Sequence, residues 1–236
     1  MGPAAAAVAT MSTWDRFVFS FFNLDIARQY LPAIAKGFVT TVYLAIAVII
    51  AGVLLGLLLA LLRSFRNKLV NFCIIMFADI MRALPPLVLI ILIFFALPYA
   101  GLSLEAFAAT WVALSLVLAA FAEEIFWAGI VAVPRGQWEA ARSTGLSKLQ
   151  TLGYVVLSQA VRMTIPPLTN RVIAITKGTA LGSVVALSEI LNQASSSASQ
   201  AGNATPLTVG ALAYLILFIP VVMFGRWVET RFAWKK

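Results

Sequence analysis

The sequence predicts an all-α integral membrane protein of about five transmembrane helices, preceded by an interfacial N-terminal segment and interrupted by one short cytoplasmic helix. Three observations carry this expectation. Of the 236 residues, 62% are hydrophobic and only 11% charged, with a mean hydropathy of +0.97, outside the usual range of a water-soluble domain. Apolar runs near or above the roughly 20 residues that cross a bilayer recur from residue 37 onward. Lysine and arginine gather in alternate connections between those runs, as they do when one set of loops faces the cytoplasm.

The N-terminal stretch MGPAAAAVATMSTW lacks the basic n-region and long apolar core of a cleaved signal peptide and reads as a loose tail, within which Met11 is an alternative start. Residues 14–36 mix aromatics with Asp15, Arg16, Asp25, Arg28 and Lys36, too polar to span but suited to lie at the interface. The first span, residues 37–62, carries Gly52 and Gly56, a spacing that admits a neighbouring helix closely. The second, 69–98, is too long for one straight crossing and is broken by Pro85-Pro86. The third, 105–133, has Glu123 and Glu124 near its end. The fourth, from about 160 to 191, passes Pro166-Pro167 and a polar interruption at residues 176–180. The fifth, 207–228, is simple. No internal repeat is visible, and an odd number of spans supplies no two related halves, so a second copy or a sister subunit is implied.

The loop charges orient the chain. Arg63, Arg66 and Lys68 follow the first span, Arg135, Arg142 and Lys148 the third, and Arg226, Arg231, Lys235 and Lys236 lie at or beyond the end of the fifth, whereas residues 99–103 and 192–206 hold no Lys or Arg. The positive-inside rule then puts the N-terminus outside and the C-terminus in the cytoplasm. Arg16, Arg28 and Lys36 count against this, but they alternate with Asp15 and Asp25 at the expected outer surface.

Composition also excludes. There is no histidine, and the one cysteine, Cys73, sits in an apolar run, which removes His-based metal sites, disulfide frameworks and His-dependent catalysis. No catalytic residue, metal site or bound cofactor is expected. The net charge of +8 is spread through short loops instead of forming a patch with exposed aromatics, so no nucleic acid is expected as partner, only membrane lipid and other proteins.

The connection after the third span is the longest polar-studded passage. Pro134 precedes a short helix expected from about residue 137 to 144, and Gly145 suits the left-handed position that ends it. Ser147 is placed to cap a second helix leading into the fourth span. Ala140 and Ala141 are small enough for close contact, and Glu139 and Arg142 can make polar contacts or pair at i, i+3.

Within the membrane, Asp79 and Arg82 lie one turn apart, and ionisable groups at that depth must pair or line a cavity. Glu123 and Glu124 face different sides of their helix, so at most one readily points inward; Glu124 is read as a structural acid bracing helices. The break at residues 176–179 frees backbone groups near mid-membrane. Lys177 can neutralise a carboxylate in the path, snorkel to an interface or pair with Glu189.

These pieces together resemble the permease subunits of ABC importers, in the branch serving polar amino acids. Pro134-Arg135-Gly136-Gln137-Trp138-Glu139-Ala140-Ala141, with Gly145, then Leu157-Ser158-Gln159-Ala160 and Ile165-Pro166-Pro167-Leu168-Thr169-Asn170, is similar to the signature loop of that family. Arg82-Ala83-Leu84-Pro85 looks like its Arg-Gly-Thr-Pro, residues 120–126 like its Ala-Tyr-x-Ala-Glu-Ile-Phe, and Lys177-Gly178-Thr179-Ala180-Leu181 like its Lys-Asp-Thr-Ser-Leu. The resemblance runs from about residue 24 to near the end.

The resemblance implies a type I importer fold. Residues 1–36 form the tail and interfacial segment, 37–229 the transmembrane domain and 230–236 a cytoplasmic tail. The short helix becomes a coupling helix that docks on a dimer of separate ATPase subunits, with Glu139, Ala140, Ala141 and Gly145 as the docking element. ATP and magnesium belong to that partner, for this chain has no G-x-x-x-x-G-K-[ST] phosphate loop. A second permease, identical or similar, a periplasmic solute-binding protein and the bacterial inner membrane complete the expected surroundings. Lys177, Thr179, Asn170, Glu189, Asp79 and Arg82 are the candidates for the substrate path or its gate. Trp127-Ala128 stands where the branch has Arg-Gly, Ala83-Leu84 where it has Gly-Thr, and Gly178 where Asp or Asn is common, which leaves the solute open. A secondary transporter or channel would also explain the spans and buried charges, but would not need a docking helix.

Overall fold

The computed structural model describes residues 12–65 and 67–232. Met11 and the rest of the tail, Arg66, and the last four residues with Lys235 and Lys236 lie outside the described residues. Those described form helices and turns and include no strand. Three helical stretches are long and apolar enough to cross a bilayer, and five if each of two bent pairs counts as one span.

Helix α1 (Thr13–Phe21) starts where Ser12 Oγ accepts from the Asp15 amide, and no residue in it is buried. Asn23 then caps α2 (Leu24–Ser64), its side chain accepting from the amides of Asp25 and Ile26. The N-terminal segment is therefore divided at Phe22-Asn23, and residues 24–36 run unbroken into the first span. The boundary expected at 36/37 falls inside this 41-residue helix, which is roughly 60 Å long at 1.5 Å per residue. Gly37 does not break it; a Cβ there would meet the Glu189 backbone at 2.8 Å, so this glycine permits close packing. α1 is fastened near the start of the last helix, with the Asn23 amide donating to Thr205 Oγ1 at 3.1 Å and Asn203 Nδ2 to the Phe19 carbonyl at 2.9 Å.

The second span is α3 (Lys68–Ala83) followed by α4 (Pro86–Ile91), which continues through a π turn and a 3₁₀ turn to Ala100. The two halves meet at 103°, because Leu84, which precedes Pro85, is extended (φ −80°, ψ 131°) and cannot continue the helix. The third span, α5 (Ala106–Ala132), is the centre of the bundle, with Ala109, Ala113, Ala119, Ala120 and Ala122 fully buried. α2 lies against it through Gly52 and Gly56, where a Cβ would come within 2.7 Å of Leu118 Cβ and 2.5 Å of Ala122 Cβ. The small-residue spacing predicted a close helix crossing, and this is it.

After α5 come α6 (Arg135–Ser143), the single turn α7 (Lys148–Gln150), a π segment (Thr151–Val156) and α8 (Leu157–Lys177). The double proline at 166 and 167 does not end α8; the change comes at Gly178, where the polar interruption turns the chain into a 3₁₀ segment, Gly178–Val185. Ala186 reverses it at φ +59°, and α9 (Ile190–Ala201) follows at a bend of 43°. Residues expected as an outer loop, 192–201, are thus helical, since Glu189 caps α9 and starts a new helix. The last helix, α10 (Thr205–Phe232), extends through residues 230–232, the first part of the expected tail.

Candidate functional site

The polar element between the third and fourth spans is built from local signals. Pro134 holds an extended conformation at the entry of α6, Thr144 closes its last turn by donating from its amide to the Ala140 carbonyl, and Gly145 leaves at φ +90°, a conformation that costs a side chain-bearing residue about 1–2 kcal/mol. Ser147 caps the next turn as expected, and Gln150 completes a reciprocal capping box. The Gln150 amide donates to Ser147 Oγ at 3.3 Å and the Ser147 amide to Gln150 Oε1 at 2.9 Å.

Packing gives α6 two unlike faces. Trp138 rests half-buried on a cluster of Phe126, Ile130, Val133, Leu152 and Val156, Ala141 is only 7% exposed, and Gln159 Nε2 donates to Gln137 Oε1 at 3.2 Å. Glu139, Ala140, Arg142 and Gly145 are exposed. Of the four residues expected at the docking element, Ala141 is therefore turned toward its own chain and three face outward. Among the described residues Glu139 and Arg142 form no ion pair with each other.

The membrane-embedded polar residues separate into groups. Arg82 Nη2 donates to Asp79 Oδ1 at 2.5 Å, the one-turn pair the sequence suggests, and Arg82 Nη1 also pairs with Glu124, joining α3 to α5. Glu124 does brace helices, but it is half-exposed, and the acid that points inward is its neighbour. Glu123 is 0% exposed and accepts from Arg63 Nη1 at 2.9 Å, while the Arg63 guanidinium lies 4.7 Å over the Trp127 ring. Arg63, readable only as a loop charge, thus reaches back into the bundle. Trp127, a departure from the branch pattern, and Glu123 meet at the same arginine.

Glu189 and Lys177 do not pair. Glu189 is fully buried and accepts from the Leu191 amide (2.9 Å), the Asn192 amide (2.7 Å) and the Tyr214 hydroxyl (2.5 Å), which uses both of its oxygens. Tyr214 is a contributor that no sequence signal marked. Thr179 is also buried and donates to the Thr176 carbonyl at 2.8 Å, so it closes on its own backbone instead of lining an open path. Asn170 and Lys177 are exposed and share one stripe of α8 with Pro167 and Ala174. Beside it, a groove of ≈ 330 Å³ runs between α5 and α8, lined by Glu124, Ala128, Gly129, Met163, Thr164 and Pro167.

A bundle of apolar spans with charges on an exposed face, and with a small external helix packed on one side and bare on the other, has the form of a multi-pass membrane protein. The chain belongs to the family of binding-protein-dependent transport system inner membrane components, which it matches over residues 52–234. It is similar to the probable glutamine ABC transporter permease protein GlnP of Bacillus subtilis (strain 168), with 34% identity over 87% of this chain and 96% of that one. Its identity with the L-cystine transport system permease protein TcyB of the same organism is 33%, over 80% and 77% of the two chains. Among solved structures, an amino acid ABC transporter with histidines matches with a TM-score of 0.78 and 30% identity, over 86% of this chain and 95% of the other. The MetNI methionine ABC transporter, at 20% identity and a TM-score of 0.68, shares the fold. The protein is a multi-pass inner-membrane permease subunit of an ABC importer, a transport component and not an enzyme, with ATP hydrolysis on a separate subunit. The alternative of a secondary transporter or channel falls with that membership.

Proposed function

We propose that this chain forms half of a translocation pathway for a polar amino acid or related solute, and that α6 is the surface through which a dimer of ATPase subunits moves it. The observation that carries the reading is the two-faced mounting of α6. Trp138 fastens it to the cluster between α5 and the π segment before α8 and Ala141 is buried, while Glu139, Ala140 and Gly145 remain bare. A force applied to the bare face passes directly into the third and fourth spans. ATP and magnesium belong to the docking partner.

The solute class rests on the names of the relatives, glutamine and cystine carriers among them. A second permease, identical or similar, covers the face bearing Asp79, Arg82 and Glu124. Charges there are too costly to leave against lipid. The groove and the stripe of Asn170 and Lys177 then line the path, and a solute-binding protein delivers from the side of the N-terminus. The loop charges support that side being outside and the C-terminus cytoplasmic. The test is to co-purify the chain with the ATPase encoded beside it and measure uptake in vesicles. Stable association and uptake that stops without ATP hydrolysis are expected; intact protein that neither binds an ATPase nor supports such uptake sinks the reading.

A further inference from the structure

Arg171 lies outside every site described so far. It sits on α8 with its guanidinium carbon 3.7 Å from the ring centroid of Phe121, a residue near the midpoint of α5, which puts the charge at mid-span depth. Among the described residues no hydrogen bond or ion pair reaches it. Stacking on a ring satisfies one face of the cation and leaves the N–H donors around its edge unused.

No acid of this chain is placed to serve it. Residues 140–188 contain no Asp or Glu, so α8 holds Arg162, Arg171 and Lys177 without an opposite charge. The intramembrane acids are engaged elsewhere, Asp79 and Glu124 by Arg82, Glu123 by Arg63, and Glu189 by Tyr214 and two amides. A second identical copy brings the same four intramembrane acids, each with the partners just named. An arginine held at this depth without a counter-ion is a functional group by default. Pro167, one turn earlier on the same side of α8, lines the open groove, and Arg171 follows one turn beyond that lining. Lys177, also without an ion-pair partner among the described residues, follows about 9 Å further along the helix axis.

We propose that Arg171 is an anion-binding residue on the solute path, whose guanidinium edge receives a carboxylate, and that with Lys177 it selects a solute carrying two carboxylates, such as an acidic amino acid. This rests on the importer reading above. A planar fork of donors matches a carboxylate in bidentate fashion, and two separated cations outnumber the single carboxylate of a neutral amino acid.

The test uses the importer complex in lipid nanodiscs, without binding protein, and two isosteric probes, L-glutamate and L-glutamine, which differ by a carboxylate against an amide. The wild type is expected to bind L-glutamate at least tenfold more tightly than L-glutamine. Arg171→Met should abolish that preference while the complex keeps its wild-type size, and Arg171→Lys should retain part of it. The proposal is overturned if the wild type shows no preference or binds neither probe, or if Arg171→Met leaves the preference intact. It is equally overturned if Arg171→Met dissociates the permease pair, which would make the counter-ion a residue of a sister subunit. ATP-driven uptake by the wild type with its own binding protein is measured in parallel. Loss of that uptake counts against the importer reading, whereas normal uptake with unchanged probe preference in Arg171→Met counts against Arg171 alone.

Discussion

The loop carrying α6 and the charged interior of the bundle are both polar islands in an apolar chain, yet they are made in opposite ways. Residues 134–150 are shaped by neighbours a few positions away, through Pro134, Gly145 and the Ser147–Gln150 box. The pair that holds the interior joins residues far apart, Arg63 with Glu123, 60 positions on. The loop is exposed, so altering it should change work transmitted more than stability. The Arg63–Glu123 pair is buried, so removing one partner should first cost the fold. On the proposed reading of α6, the difference separates what this permease uses to receive force from what it uses to stay assembled.

The largest effect is expected at the buried pair. Glu123→Ala leaves the Arg63 guanidinium without its acid, at a cost of about 3–5 kcal/mol, and should sharply lower the thermal midpoint and the yield of monodisperse protein in detergent. Replacing both partners, Arg63→Met with Glu123→Leu, should recover most of that loss, because no unpaired charge remains. Gly145→Glu comes next and reverses the pattern. Uptake in reconstituted vesicles should fall about tenfold or more, the equivalent of at least about 1.4 kcal/mol of coupling, with insertion into the membrane intact. Equal losses of thermal midpoint in Gly145→Glu and Glu123→Ala would erase the distinction between the two regions.

Tyr214→Phe removes the hydroxyl that donates to Glu189 and should destabilise by about 1–3 kcal/mol, a hydrogen bond to an acidic group. Differential scanning fluorimetry would register it, and no change in midpoint would mean that the two amides alone hold Glu189. Ser147→Ala is the smallest. Loss of the cap should cost about 1 kcal/mol, visible as faster amide exchange confined to residues 147–152, and protection changes spreading into α5 would show that the loop is not locally built.

Legibility followed the range of the interactions. The spans, the break at Pro85-Pro86 and the close crossing at Gly52 and Gly56 were readable because each rests on hydropathy, a missing donor or a missing side chain at known positions. The end of α6 at Gly145 was readable for the same reason. The i, i+3 pair of Asp79 and Arg82 was readable too, since one helix turn brings the two together whatever packs around them. By contrast, the sequence placed a boundary at residue 36 and a loop at 192–201. Both errors came from treating polarity as the end of a helix, when Asn23 and Glu189 were the caps that began one.

What the sequence determined by itself was class, family signature and the local form of α6, because those depend on composition and on contacts within a few residues. Only the tertiary structure decided which acid is buried, which arginine stacks on Phe121 and which face of α6 is free. Adjacent residues on a helix point about 100° apart, so whether Glu123 or Glu124 meets the interior depends on how α5 is rotated against α2 and α3. That rotation is set by the summed packing of whole helix faces, a quantity no short stretch of sequence contains.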